Sequence, residues 1–202
     1  RDTFLSCFAL LEIKQYQNVQ KLLELFLRFQ KDSGEIPLRI GRGNQILKFL
    51  GIPTTSPLYA IYSNDKTKSI ALDGSILFIT IFSKYVKTTK NSSFLKKHKK
   101  QLDKALSFLE EQEKENLLFQ QAYCDWADSV KKKGAVAYTN VLYYQALVSY
   151  AKIVDKNKIL ELKAETVKSE INKQLWNSKG YFNDWKEKEV YTYFNLESNL
   201  LA

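Results

Sequence analysis

The stretch GSILFITIFSKYVKTT, residues 74–89, decides the fold, because it is apolar on nearly every side of a helix. A two-faced helix follows it from about Ser93 to Glu111. Its apolar face carries Leu95, His98, Leu102, Ala105, Leu106 and Leu109. A helix that is apolar all round must be enclosed by protein, whereas an amphipathic helix faces solvent. The short turn between the two therefore predicts an αα-hairpin with one inner and one outer helix.

The same unit recurs on both sides of this hairpin. Residues 2–14 are mostly apolar, and residues 18–31 form a two-faced helix after a turn of a few residues. Residues 139–154 are again apolar, and residues 157–176 are two-faced. The repetition predicts an all-α fold in which the hairpins stand side by side as a curved or closed array, with an inner and an outer layer of helices.

Long segments link one hairpin to the next, over roughly residues 32–73, 112–138 and 177–197, and a seventh helix begins near Ser198. Loops of this length in a globular domain are usually functional. Each link leaves the end of an outer helix and enters the start of an inner one. The three links are therefore expected to cluster on one face of the array, where the inner helices begin.

Composition narrows the class of protein. The 202 residues suit one domain over residues 1–202, with 45% hydrophobic residues. The net charge of +9 comes almost entirely from lysine on polar helix faces, which favours a solvated surface over a nucleic-acid interface. No apolar run approaches the ~18 residues of a membrane span. The cysteines, Cys7 and Cys124, have no disulfide-framework spacing, which predicts reduced thiols and a cytoplasmic location.

Acidic and aromatic residues mark the ends of the links. In YCDWADSV, residues 123–130, Asp125 and Asp128 flank Trp126. Asp2 and Asp73 each stand at the start of an inner helix, and Tyr138 stands at the start of the third. Acids before helices are also common as N-caps or as turn residues, so each carboxylate has a structural alternative to a chemical role.

Four ordered motifs resemble those of six-hairpin glycoside hydrolases, and most closely those of the amylo-α-1,6-glucosidase domain of glycogen-debranching enzymes. The motifs are RDTFLSCFALLE, ALDGSILFITIFSKYV, DWADSV followed by YTNVLYYQAL, and GYFNDW followed by NLESNLLA. The resemblance implies an (α/α)6 toroid, of which this chain would form about half. It also implies hydrolysis of α-glucosides or glucans with inversion, an oligo- or polysaccharide substrate, and no metal or organic cofactor.

The resemblance also implies roles for individual residues. Asp128 would be the general acid, and packing against Trp126 would favour its protonated form. The residues implied to contact the sugar are Arg1, Asp2, Asp73, Asp125, Trp126 and Tyr138. The glutamate that serves as general base in the family has no counterpart here. Because both ends of the chain fall inside helical patterns, we expect an internal fragment that is inactive alone.

Two other classes of protein share the helical pattern. The first is a non-catalytic α-hairpin repeat module that binds protein partners through its links. Hairpins that begin near residues 2, 74 and 139 are too widely and unevenly spaced for that class. The second is a polysaccharide lyase, which a single histidine disfavours. The pattern does not specify an oligomeric state.

Overall fold

The structure is a computed structural model, and it describes residues 2–43, 49–51, 57–64, 67–127, 129–154 and 157–201. Within these ranges it contains the three predicted helix pairs and the start of a further helix. The helices are α1 (Asp2–Glu12), α2 (Tyr16–Arg28), α3 (Leu72–Thr89), α4 (Ser92–Glu110), α5 (Ala137–Ala151), α6 (Lys158–Leu175) and α7 (Leu196–Leu201). The boundaries lie close to those that the hydrophobic periodicity predicts.

The helices form an inner and an outer set, as their patterns predict. Helix α3 is buried on almost every side and packs against α1, α2, α4 and α5. The outer helices α4 and α6 bury one face only, and each begins at an asparagine whose side chain accepts hydrogen bonds from the first turn. Aromatic rings join the first two hairpins, with Phe4 4.5 Å from Phe26 and 5.7 Å from Phe78 between ring centroids. In the described ranges no helix is both long and apolar enough to span a bilayer.

The prediction of an all-α fold is wrong, because the links between hairpins form β-sheet. In the first link, β1 (Arg39–Arg42) pairs antiparallel with β2 (Leu58–Ile61). The second and third links together build a five-stranded antiparallel sheet in the order β3-β4-β5-β6-β7. Its strands are β3 (Glu113–Lys114), β4 (Leu117–Gln120), β5 (Gly134–Val136), β6 (Asn183–Lys186) and β7 (Val190–Phe194). The chain is therefore a mixed helix-and-sheet structure.

The strands escape prediction because their burial does not alternate. All three residues of β5 are buried, whereas all five residues of β7 are exposed. A half-buried strand can be predicted from the alternation of its buried apolar and exposed polar residues. Neither β5 nor β7 has such an alternation of burial. Strand β5 also runs directly into α5, so no intervening turn marks where the strand ends.

The sheet brings the second and third links together, as the hairpin topology requires. Ala135 of β5 pairs with Lys186 of β6, and Val136 pairs with Trp185. The first link meets the second where the side-chain amide of Asn64 donates to the backbone carbonyl of Tyr123 at 3.4 Å. All three links therefore adjoin one another at the end of the molecule where α3 and α5 begin.

Candidate functional site

A cavity of about 520 Å³ lies where α1, α5 and α7 begin, and we call it the helix-end cavity. Its volume falls within the range of sites for small molecules. The residues that line it are Asp2, Leu5, Phe8, Leu77, Thr80, Trp126, Tyr138, Leu142, Gln145, Glu197, Leu200 and Leu201. The carboxylates of Asp2 and Glu197 lie at helix starts, Thr80 and Gln145 lie in the middle of their helices, and five leucines form most of the remaining wall.

Two carboxylates and two aromatic rings share the cavity. Asp2 is in the first turn of α1, and Glu197 is in the first turn of α7. Trp126 comes from the second link and is 39% exposed, while Tyr138 in the first turn of α5 is 5% exposed. Carboxylates accept hydrogen bonds from hydroxyl groups, and aromatic faces pack against C–H groups. This lining therefore suits a ring-shaped ligand that carries hydroxyl groups.

A buried polar network holds the second link against α5. The Oδ1 atom of Asp125 accepts the backbone N–H of Ala127 at 2.9 Å, and its Oδ2 atom accepts from Nε2 of Gln120 at 3.3 Å. The Oε1 atom of Gln120 accepts the hydroxyl of Thr139 at 2.5 Å. Asp125 closes the turn that carries Trp126, and Thr139 directly follows Tyr138 in α5. The network therefore fixes the relative positions of the Trp126 and Tyr138 rings.

Asn140 ties α5 to the sheet. Its Oδ1 atom accepts the backbone N–H of Leu118 at 2.7 Å, and its Nδ2 group donates to the carbonyls of Leu118 at 3.1 Å and Val136 at 2.9 Å. The side chain is fully buried. A single amide thus hydrogen-bonds backbone groups of both β4 and β5, which fixes the start of α5 against the sheet.

A buried ion pair joins the second link to the third. The Nζ group of Lys132 lies 3.1 Å from Asp184, and only 3% and 7% of the two side chains are exposed. Burial raises the pKa of Asp184, while the charge of Lys132 acts in the opposite direction. The negative charges of Asp125 and Glu197 raise the same pKa further. Lys132 is therefore the buried cation that offsets this group of carboxylates.

The structure brings three of the predicted site residues together in the helix-end cavity: Asp2, Trp126 and Tyr138. Two others do not line it. Asp73 is buried in the first turn of α3 near Cys124, and the N-cap of that helix is Ala71, so Asp73 does not cap it. Asp125 is the turn residue described above, which is the structural alternative for that position.

The predicted general acid, Asp128, and the predicted sugar-binding Arg1 lie outside the described residues. Sequence reasoning missed Glu197 and Gln145 as cavity residues. Glu197 could have been identified from the sequence, because it lies in the first turn of α7 as Asp2 lies in the first turn of α1. Gln145 could not have been identified in this way, since it lies in the middle of a mostly apolar helix.

No group of three or more His, Cys, Asp or Glu side chains in the described ranges is arranged to hold a metal ion. The single histidine, His98, lies on the buried face of α4, with its Nδ1 atom 2.8 Å from Oε1 of Gln101.

No family model matches the chain, and a search of curated proteins finds no match. Among solved structures, a rhamnosidase from Klebsiella oxytoca with rhamnose bound has a similar fold, with a TM-score of 0.67 at 12% sequence identity. The similarity covers 93% of this chain and 34% of that one, so the chain spans about a third of the rhamnosidase structure. The likeness concerns the fold. It does not distinguish the amylo-α-1,6-glucosidase group from others.

Proposed function

We propose that this chain is part of a glycoside hydrolase and that the helix-end cavity binds a sugar residue of its substrate. The observation that carries the proposal is the convergence of Asp2, Trp126, Tyr138 and Glu197 on one cavity from separate parts of the chain. Sugar hydroxyls bind carboxylates through charge-assisted hydrogen bonds, and the C–H face of a sugar ring packs against aromatic rings. The fold likeness to a rhamnosidase supports the same class of enzyme.

In this proposal Asp128 protonates the leaving oxygen, as the sequence resemblance implies. It follows Trp126 by two residues, and a carboxyl group packed against an indole keeps its proton to higher pH. An inverting mechanism needs a second carboxylate ~6.5–9.5 Å away to activate water. Asp2 and Glu197 hold sugar hydroxyls. The family that the sequence resembles uses a glutamate as general base, and that glutamate has no counterpart in the 202 residues. We therefore expect this chain to bind sugar without hydrolysing it.

The substrate class has two candidates. The sequence resemblance favours an α-glucoside, and inversion with a debranching-type specificity rests on that resemblance alone. The rhamnosidase likeness favours a rhamnoside instead. A titration of the chain with isomaltose, glucose and rhamnose, followed by NMR line broadening or calorimetry, separates the two. We expect isomaltose to bind most tightly; a preference for rhamnose would contradict the α-glucoside assignment and keep the glycosidase proposal.

A matched pair of tryptophan variants tests the cavity itself. Trp126→Ala removes the exposed ring of the helix-end cavity and should weaken sugar binding by about threefold to tenfold, the strength of one aromatic contact. Trp176→Ala is the control, because Trp176 is 48% exposed but packs edge-on against Phe182 away from the cavity lining. Equal affinities in the two variants, or no sugar binding by the unaltered chain, would contradict the proposal.

The role of Asp128 needs a form of the protein that turns over. In such a form, Asp128→Asn should abolish hydrolysis of the preferred substrate while the midpoint of thermal unfolding stays unchanged. Undiminished hydrolysis would remove Asp128 from the mechanism.

A further inference from the structure

A second cavity, of about 430 Å³, lies toward the opposite ends of the inner helices. Helix α3 contributes side chains from its last turns, and the end of α5 contributes Ser149 and Lys152. The complete lining is Phe8, Thr80, Ser83, Lys84, Lys87, Thr88, Ser149 and Lys152. Phe8 and Thr80 also line the helix-end cavity, so the two hollows are neighbours along α1 and α3. We call the second one the basic cavity.

The lining of the basic cavity carries three positive charges and no acidic residue. Lys84 donates to Glu12 at 2.8 Å, and its Nζ group also lies 5.1 Å from the centre of the Phe8 ring. For Lys87 and Lys152, the part of the chain that the structure describes supplies no carboxylate within salt-bridge distance. Among the described residues, two cations in one concavity thus have no carboxylate partner.

The rest of the lining suits a ligand larger than an ion. The hydroxyls of Thr88 and Ser149 can donate to the oxygens of an anion. The ring of Phe8 offers an apolar face, and the volume lies within the range of small-molecule sites. Lysine binds phosphate and sulfate groups as a point charge, without the planar geometry that arginine requires.

We propose that the basic cavity binds the phosphate or sulfate group of a small ring compound, such as a sugar ester, through Lys87 and Lys152. The ring of the ligand would lie against Phe8. This inference does not depend on hydrolysis at the helix-end cavity, because Lys87 and Lys152 line the basic cavity and not the helix-end cavity, although Phe8 borders both.

The lysines have another physical role that the test must separate from binding. Cations near the last turn of a helix stabilise it through the helix dipole. Lys87 is in the last turn of α3, and Lys152 is the C-cap of α5. If the dipole were their only role, replacing them would lower stability without changing the affinity for any anion.

The experiment titrates the 202-residue chain with inorganic phosphate, inorganic sulfate, glucose 6-phosphate and glucose at low ionic strength, and follows NMR shifts of the amides around Ser149. The test variant is Lys87→Met/Lys152→Met. The control is Lys100→Met/Lys104→Met, which removes the same charge from exposed positions on α4. We expect the unaltered chain and the control to bind glucose 6-phosphate alike, and the test variant to bind it at least about tenfold more weakly.

Comparison of the titrations with one another identifies the class of ligand. Tighter binding of glucose 6-phosphate than of inorganic phosphate supports a ring ester in contact with Phe8, and Phe8→Ala should then remove that difference. Equal weakening in both double variants would show a general effect of net charge and overturn the site. The site is also overturned if the unaltered chain binds no anion, or if binding is unchanged in the test variant. Glucose binding at the helix-end cavity is a separate readout, so the two proposals can fail independently.

Discussion

The Nζ group of Lys132 lies 3.1 Å from Oδ1 of Asp184, and both side chains are almost completely excluded from solvent. Lys132 belongs to the second link and Asp184 to strand β6 of the third. The pair therefore joins two segments that are far apart in the sequence.

Removing the lysine should be strongly destabilising. Lys132→Met leaves Asp184 buried without its cation, and breaking a buried ion pair in this way costs about 3–5 kcal/mol. Urea unfolding measures the loss. The control is Lys133→Met, because Lys133 makes an exposed pair with Glu187 at 2.8 Å, and surface pairs contribute only about 0–1 kcal/mol.

The double variant Lys132→Met/Asp184→Leu should recover part of the stability, since no unpaired charge then remains buried. If Lys132→Met and Lys133→Met unfold at the same urea concentration, the buried pair does not tie the links together.

Gly134 should be intolerant of any side chain. Its φ of +96° is unfavourable for other residues, and a Cβ atom there would lie 2.3 Å from the carbonyl oxygen of Lys186 in the neighbouring strand. Gly180 has a similar φ of +85°, but a Cβ atom there meets nothing within 4 Å. Gly134→Ala should therefore cost about 1–3 kcal/mol more than Gly180→Ala, the cost of overpacking. Thermal unfolding of the two variants gives the comparison, and equal losses would contradict the close packing of β5 on β6.

Asn140 should not tolerate a carboxylate. Asn140→Asp loses both donations to the carbonyls of Leu118 and Val136 and places a charge in a fully buried position. Each buried group left without a partner costs about 1–3 kcal/mol, so the variant should lose at least ~3 kcal/mol of unfolding free energy. Asn172→Asp, on the exposed face of α6, is the matched control and should change stability by less than ~0.5 kcal/mol. A small loss at Asn140 would show that α5 does not depend on this amide.

The thiol of Cys124 should be unreactive in the folded chain. Burial is the main cause that raises its pKa from 9.0 to about 11. At pH 8 the thiolate population is then about 100-fold smaller than in the unfolded chain, so alkylation by iodoacetamide should slow by at least that factor. Mass spectrometry of peptides after timed labelling, with and without urea, measures the ratio. Similar rates in both conditions would place Cys124 at the surface.

The same shift makes stability depend on pH. Because the folded-state pKa of Cys124 is raised, its contribution is fully present below pH 9 and is lost as the pH rises toward 11. Cys124→Ala removes this contribution, so the unaltered chain should lose more stability than the variant between pH 9 and 11. Parallel curves for the two proteins over that range would contradict the assignment.

The helices were predictable because each one repeats a burial pattern over several turns. The apolar stretch of α3 and the two-faced stretch of α4 leave little choice about which helix is enclosed. The strands were not predictable, because each is short and pairs with a strand elsewhere in the chain, and β5 pairs with β6 of another link. Burial of β5 depends on β4 and β6, and nothing within Gly134–Val136 indicates them.

The candidate site was predictable in part. The positions of Asp2, Trp126 and Tyr138 at the junctions between links and helices pointed to the helix-end cavity. The same reasoning placed Asp73 and Asp125 there, but both are buried and neither lines the cavity, because a carboxylate beside a helix start can face either the cavity or the core. The basic cavity was not predicted, since Lys84 and Lys87 share a face of α3 but Lys152 comes from the end of α5 and meets them only through helix packing.

The sequence by itself determined the order, length and buried faces of the helices, because hydrophobic periodicity is a local property of the chain. The tertiary structure alone decided which links pair as strands, which carboxylates reach a cavity, and where Lys132 finds Asp184. Those outcomes depend on contacts between residues distant in the sequence, such as Lys132 and Asp184 at 52 positions apart, and no short window of sequence contains both partners.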